Sequence, residues 1–291
     1  MTIVFRFAKI ITVRKLDTKI IEEAVRSLAA KACVTLTEPC MTALKRAKTA
    51  ETSPTAEFAL GIVLENAAIA KKTALPVCQD TGIAVVFLEI GREVFLTGEP
   101  LAEAVDKGVA RAYKENAFRA SVCDPLTRKN TGDNTPAVVH TQIVEGDKVR
   151  IVFMPKGCGS ENATKLFMLT PKDGADGIVD AVVETVCCAG AKACPPVYVG
   201  VGIGGTADQC VLLAKKALTR PIGERSKRDD VAELEKEILS RLNALGIGAQ
   251  GFGGDTTALG VSAEVYPTHI AALPVAVNIQ CHAVRCEETV L

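Results

Sequence analysis

The sequence has no apolar run long enough to cross a membrane and no excess of charge of either sign. A membrane-spanning helix needs roughly 20 consecutive apolar residues, and Gly, Lys or Asp interrupts the apolar segments of this chain before that length. The 34 basic residues balance 34 acidic ones, and no basic block with interleaved aromatics occurs. These absences argue against a membrane protein and against nucleic-acid binding. Internal repeats and low-complexity tracts are missing as well.

We also expect no export signal at the N-terminus. Met1–Val13 alternates apolar and other residues, and Arg6 and Lys9 interrupt it, so we predict a strand there rather than a signal peptide. We therefore expect the protein in the cytoplasm, where thiols stay reduced. Its 11 cysteines are then expected to serve in packing or metal binding rather than in disulfides.

The apolar content, 48% of 291 residues, is enough for a large buried core. A helical pattern from Ile20, which Asp17 can cap, and a second pattern at 55–72 predict a mainly helical segment within residues 1–75. Beyond it, strands and helices alternate irregularly. We predict the mixed α/β (α+β) class, with the helical segment packed on mixed sheets and surrounding helices, in a single domain over residues 1–291.

Two neighbouring strands are predicted at 137–144 and 148–155. Glu145-Gly146-Asp147 joins them, and a short polar connection with a glycine is typical of an antiparallel hairpin. Further helices are predicted at 101–119, 176–188, 207–218 and 229–245, and further strands at 85–90, 197–203, 259–265 and 275–280.

Three cysteines stand beside residues that are unusual in an ordinary core. Cys78 precedes Gln-Asp-Thr-Gly, Cys194 precedes Pro-Pro, and Cys281 ends the run PVAVNIQC. Their separations, 116 residues (78 to 194) and 87 residues (194 to 281), exclude a local zinc knuckle. A site that uses all three must be assembled by the fold. Three thiolates on a four-iron cluster would leave one iron open as a Lewis acid, which suits elimination of water beside a carboxylate.

Five motifs together resemble the class I fumarate hydratase and L-tartrate dehydratase alpha family. They occur in order over roughly residues 20–288: PVCQDTG at 76–82, NTGDNTPA at 130–137, KGCGSEN at 156–162, ACPPVYVGVGIGGT at 193–206 and HIAALPVAVNIQC at 269–281. The resemblance implies a [4Fe-4S] cluster held by Cys78, Cys194 and Cys281. It also implies a hydro-lyase, first of all one that hydrates fumarate to malate, with dehydration of L-tartrate to oxaloacetate as the alternative.

The resemblance further assigns roles to individual residues. It implies acid/base catalysis by Asp80 and His269, binding of a substrate carboxylate by Arg119, and substrate contacts by Gln79 and Gly159. Two-subunit relatives obtain further cationic groups from a separate beta subunit. Because this chain stops soon after the third cysteine, we expect such a beta partner, in a heterotetramer or a larger assembly.

The residues alone leave several alternatives open. Asp80 could simply cap the turn before Thr81-Gly82, and a lone histidine such as His269 is usually a hydrogen-bonded structural residue. The roles of four residues stay undecided: Cys158, Cys187, Cys188 and His282. The chain could also be an iron-sulfur redox or iron sensor in which loss of the exposed iron changes a binding surface.

A dinucleotide fingerprint is present in form only. Gly200-x-Gly202-x-x-Gly205 follows a predicted strand and precedes a helix. However, no carboxylate ends a second strand about 20 residues further on, where the ribose partner belongs. We therefore expect these glycines to let their turn pack near Cys194 rather than to bind NAD.

Overall fold

The computed structural model describes residues 13–291, so the strand predicted for Met1–Val13 lies, apart from Val13, outside the described residues. In chain order the elements are β1 (Arg14–Asp17), α1 (Thr18–Val34), α2 (Glu38–Ala50), α3 (Pro54–Thr73), β2 (Ile83–Gly91), β3 (Val94–Thr97), α4 (Leu101–Glu115), β4 (Val138–Val144), β5 (Val149–Lys156), α5 (Cys158–Glu161), β6 (Lys165–Leu169), α6 (Gly174–Ala189), β7 (Val197–Gly204), α7 (Ala207–Ala217), α8 (Asp229–Asn243), β8 (Ala258–Tyr266), β9 (Leu273–Gln280) and β10 (Glu287–Val290). The predicted mixed α/β class is confirmed. None of the helices in residues 13–291 has the length and apolarity of a membrane span.

The chain forms two compact units. The described part of the first unit is residues 13–30, 84–153 and 287–291, and the second unit is residues 31–83 and 154–286. In the first unit, α1 begins directly after Asp17, whose carboxylate accepts the N–H of Lys19 at 2.9 Å, as expected for an N-terminal cap.

The main sheet of the first unit has the strand order β10-β5-β2-β4. The hairpin predicted for 137–144 and 148–155 is therefore wrong, because β2 lies between β4 and β5 and pairs with β4 in parallel. The burial pattern explains the order. β2 and β5 are buried along nearly their whole length, whereas β4 is mostly exposed. A strand that is apolar on both faces gains most from a central position, and the more polar strand takes the edge.

In the first unit α4 ends at Glu115, four residues before the predicted end at 119. The Asn116 amide hydrogen-bonds the Ala112 carbonyl at 2.8 Å, and Ala117 has a left-handed backbone with φ of 52°. A left-handed residue cannot continue a right-handed helix. Arg119 consequently lies in an irregular segment after the helix.

The second unit is built on a sheet with the order β6-β9-β7-β8. On one face of this sheet, α6 and α8 pack against every second residue of the strands. Examples are Val199 and Val201 on β7 and Val277 on β9. On the opposite face, Cys210 and Ala214 of α7 pack with β9. Strand residues alternate between two covered faces, as a three-layer arrangement requires.

Close packing of α7 on β7 explains the glycine fingerprint. A Cβ atom on Gly200 would lie 2.2 Å from the Ala214 carbonyl oxygen, and one on Gly202 would lie 2.0 Å from that of Cys210. Both glycines are strand residues, and because they lack a Cβ atom the backbone of α7 can approach β7 closely. The turn after them, at Gly204-Gly205, lies at the opposite end of β7 from Cys194. The expectation that this turn packs near Cys194 is therefore wrong.

Candidate active site

The sheet of the second unit brings Cys194 and Cys281 together. Cys194 precedes the start of β7, and Cys281 follows the end of β9, which runs antiparallel to β7 with Tyr198 opposite Gln280. The backbone N–H of His282 donates to the Cys194 carbonyl at 3.1 Å. Two cysteines far apart in sequence are thus neighbours at one end of the sheet.

Cys78 belongs to the same group of thiols. Burial raises the pKa of the Cys194 thiol, and the charges of Cys281 and Cys78 raise it further. Burial likewise raises the pKa of Cys281; the Arg285 guanidinium acts in the opposite direction, and Cys78 adds a smaller increase. The three thiols are therefore near enough to influence one another's charge, as ligands of one cluster would be.

The donor set fits an iron-sulfur cluster better than a single ion. Within residues 13–291 no three His, Cys, Asp or Glu side chains converge closely enough to hold one metal ion. Cluster thiolates bind different irons and need not converge on one point. Three buried side-chain atoms in the described chain have no hydrogen-bond partner: Asn278 Oδ1, Gln280 Oε1 and Arg285 Nε. Buried polar atoms are normally paired, and all three belong to residues within four positions of Cys281 in the sequence.

Asp80 joins two of the sequence motifs. Its Oδ1 accepts the N–H of Gly82 at 2.9 Å, and its Oδ2 accepts the N–H of Cys158 at 2.8 Å. Its backbone carbonyl accepts a third hydrogen bond, from Nη1 of Arg285 at 2.8 Å. The carboxylate does cap the turn at Gly82, and it also holds the 156–162 motif beside the Cys78 loop.

Two glycines make this approach possible. A Cβ on Gly82, where φ is 76°, would lie 2.7 Å from the backbone of Lys156. A Cβ on Gly157 would lie 3.2 Å from Asp80 Oδ2 and 3.3 Å from Nη2 of Arg285. A larger residue at either place would push the two loops apart.

Gln79 and Gly159 lie on these two loops. Gln79, between Cys78 and Asp80, is solvent-exposed. Gly159 is the second residue of α5, and a Cβ there would lie 3.3 Å from the Lys192 carbonyl oxygen. Both predicted substrate-contacting positions are thus at the surface beside Asp80 and the thiols.

Sequence reasoning missed a buried charge network beneath α5. Lys156, only 2% exposed, donates to the Ile279 carbonyl at 2.7 Å and pairs with Glu161 at 3.2 Å. Lys215 and Asn278 also donate to Glu161, the latter at 2.8 Å. Burial lowers the pKa of Lys156 to about 8. Burial acts to raise the pKa of Glu161, but the two lysines outweigh it and hold that pKa at about 2.

His269 lies at the other end of the same sheet. It is exposed in the turn between β8 and β9, where its Nδ1 accepts the N–H of Ala271 at 3.1 Å. The eight residues of β9, at a rise of about 3.3 Å each, put about 25 Å between this turn and Cys281. No hydrogen bond between residues of the described range joins His269 to Asp80.

Of the residues that the sequence left undecided, His282 and Cys158 lie in the site. Nδ1 of His282 is 3.0 Å from Nε2 of Gln250 and 3.1 Å from the Cys194 carbonyl oxygen. Burial lowers the pKa of His282. Cys187 and Cys188, by contrast, are exposed near the end of α6.

Arg119 belongs to the first unit, where the NTGDNTPA motif supports its segment. The Ser121 N–H donates to the side-chain oxygen of Asn134 at 2.7 Å, and Asn130 donates to the Ala120 carbonyl at 3.0 Å. Asn134 is fully buried. The Arg119 side chain itself is exposed, so the motif holds the backbone and leaves the guanidinium at the surface.

Comparison with known proteins finds relatives over nearly the whole chain. The profile of a family described as Fumarate hydratase (Fumerase) matches residues 22–290. A Methanocaldococcus jannaschii protein, provisionally named L(+)-tartrate dehydratase subunit alpha, is 44% identical over 91% of this chain and 95% of its own length. The L(+)-tartrate dehydratase subunits alpha of Escherichia coli K12 and Shigella sonnei are each 34% identical over 90% of this chain and 88% of their own lengths.

The protein is a hydro-lyase of the fumarate hydratase and tartrate dehydratase type. The chain belongs to the fumarate hydratase (Fumerase) family, as the order of its five motifs indicated.

Proposed function

We propose that the chain is the alpha subunit of an iron-sulfur hydro-lyase that reversibly hydrates fumarate to malate, with residues 1–291 acting as one catalytic domain. A [4Fe-4S] cluster would be held by Cys78, Cys194 and Cys281. The observation that carries the proposal is the contact between the segments that carry these thiols: His282, next to Cys281, donates its N–H to the Cys194 carbonyl, and Arg285 hydrogen-bonds the carbonyl of Asp80, two residues after Cys78. When bound, such a cluster supplies one iron without a protein ligand, a Lewis acid for a substrate hydroxyl and carboxylate.

Hydration adds the hydroxyl of water to one carbon of the double bond and a proton to the other. Asp80 is proposed as the acid/base group that delivers or removes the proton, because two backbone N–H groups fix its carboxylate. Gln79 and the backbone N–H of Gly159 are proposed to bind a substrate carboxylate. Arg119 is proposed to bind the other carboxylate, for which its planar fork of donors is suited.

A beta subunit is proposed to complete the site, in a heterotetramer or larger assembly. The curated relatives described above are named as alpha subunits, which supports a two-subunit enzyme. His269 is proposed to serve a site in another copy of the chain, because about 25 Å of strand separates it from the thiols of its own copy. A closed symmetric assembly would supply that histidine to each site.

L-Tartrate is the second candidate substrate, and its product would be oxaloacetate. The names of the relatives favour it. Tartrate and malate differ by one hydroxyl group, so the same acid/base residue and carboxylate contacts serve both reactions.

The test is anaerobic turnover of the reconstituted chain, with and without its beta partner, on fumarate, malate and both tartrate enantiomers. Cys194→Ser should lose iron and activity. Cys210→Ser is the matched control, because Cys210 is fully buried on α7 and its thiol hydrogen-bonds the Gly202 carbonyl. It should keep full iron content. Absence of turnover by a fully loaded complex with its partner would contradict the proposal and favour an iron-sulfur sensor.

A further inference from the structure

Arg285 is the largest fully buried side chain of the described residues, with 1% relative exposure. A guanidinium keeps its charge in proteins, and a buried charge is costly unless a partner compensates it. Within residues 13–291, Arg285 forms no ion pair with a carboxylate. A buried cation of this kind calls for a negative partner other than a paired carboxylate of the described residues.

The hydrogen bonds of Arg285 point to the thiol end of the second unit. Nη1 donates to the Asp80 carbonyl at 2.8 Å, and Nη2 lies 3.3 Å from the position of a Cβ on Gly157. Nε is buried without a partner. An unpaired buried donor destabilises the fold, so the position favours an acceptor in the space that Nε faces.

Arg285 connects the chain segments that carry two of the thiols. It follows Cys281 by four residues, and its side chain hydrogen-bonds the carbonyl of Asp80, two residues after Cys78. Gln280, which precedes Cys281, also carries a buried oxygen without a partner. The buried guanidinium therefore lies where the Cys78 and Cys281 segments meet.

We propose that Arg285 is a positioning residue that compensates the negative charge of the thiolates and of the cluster they hold, and thereby raises the reduction potential of that cluster. The inference rests on the proposed function. The reduction potential of an iron-sulfur cluster depends, among other factors, on the net charge around it and on hydrogen bonds to its sulfur atoms. Removing the cation should favour the oxidised, less negative cluster and shift the potential to more negative values.

The test uses reconstituted holoprotein and EPR-monitored reductive titration with dithionite and mediators. Arg285→Gln keeps a donor for the Asp80 carbonyl but removes the charge. Arg285→Met removes both, and exchange of a buried charge for an apolar side chain of similar size is often tolerated by the fold. Arg285→Lys keeps the charge. The control is Arg241→Gln, on the exposed side of α8, where Arg241 pairs with Asp180 at 3.4 Å.

We expect a negative shift in the Gln and Met variants, a smaller shift in the Lys variant and no shift in the control. Unchanged potentials in the Gln and Met variants would overturn the inference. An equal shift in all three Arg285 variants would also overturn it, because the cause would then be displacement of the Asp80 loop. A wild-type chain that binds no cluster would overturn the proposed function as well, whereas an active, loaded enzyme with unshifted variants would overturn this inference alone.

Discussion

Oδ2 of Asp80 accepts the backbone N–H of Cys158 at 2.8 Å, across 78 residues of sequence. The same carboxylate caps its own turn through Gly82. The Asp80 carboxylate therefore caps a turn and also lies in the candidate site, the two alternatives that the sequence left open. Substitution of Asp80 can distinguish a structural role from a catalytic one.

Asp80→Asn should lower kcat by about 10²–10⁴-fold, the usual contribution of a general acid or base. Iron content should stay at the wild-type level, because the amide keeps an oxygen for the turn. Steady-state kinetics and iron analysis of the reconstituted complex measure both. Asp124→Asn is the matched control, since the Asp124 carboxylate caps an exposed turn through Leu126 and Thr127. Equal, small losses in both variants would show that Asp80 is only a cap.

Glu161→Gln should lower the free energy of unfolding by about 2–4 kcal/mol at pH 7, because it leaves Lys156 buried without its counter-ion. The pKa of Glu161 in the folded chain is about 2, below its ordinary value of 4.5. A carboxyl group of this kind stabilises the fold above its unfolded pKa, and the contribution is lost as the pH falls from about 4.5 towards 2. The difference between wild type and variant should therefore shrink over that range.

Urea unfolding of both chains in the same cluster state, at pH 3, 5 and 7, measures this dependence. Glu184→Gln serves as the control, because the Lys165–Glu184 pair is at the surface and such pairs contribute about 0–1 kcal/mol. A gap between wild type and Glu161→Gln that is constant from pH 7 to pH 3 would contradict the prediction.

Asn134→Ala should destabilise the chain by about 1–3 kcal/mol, because the N–H of Ser121 loses its buried acceptor. Asn134 also has a left-handed backbone, with φ of 63°, which alanine adopts less readily. If the motif positions Arg119, KM for the dicarboxylate should rise more than kcat falls. Thermal unfolding and steady-state kinetics test both parts. Asn116→Ala, at the exposed end of α4, should change KM little.

Mixing two inactive variants tests whether His269 serves another copy. Complexes that contain only Asp80→Asn or only His269→Gln chains should both be nearly inactive. Co-refolded in equal amounts, they should recover up to about a quarter of wild-type activity, because random pairing gives some sites that combine an intact Asp80 with an intact His269. If complexes that contain both variants recover no activity, either the two residues act within one copy of the chain or His269 has no catalytic role.

The sequence by itself determined the elements and the candidate ligands. Periodicity is a local property, so it predicted α6, β7 and β9 within a few residues of their ends. The residues beside Cys78, Cys194 and Cys281 marked those thiols among 11 cysteines.

Tertiary structure decided which elements meet. Strand order follows from the free energy of burying both faces of a strand, and β2 therefore displaced β4 from the predicted hairpin. The antiparallel pairing of β7 with β9 put Cys194 next to Cys281 and His269 at the far end. No local pattern marks the burial of Arg285, because its surroundings come from loops distant in sequence that meet only after the strands have paired.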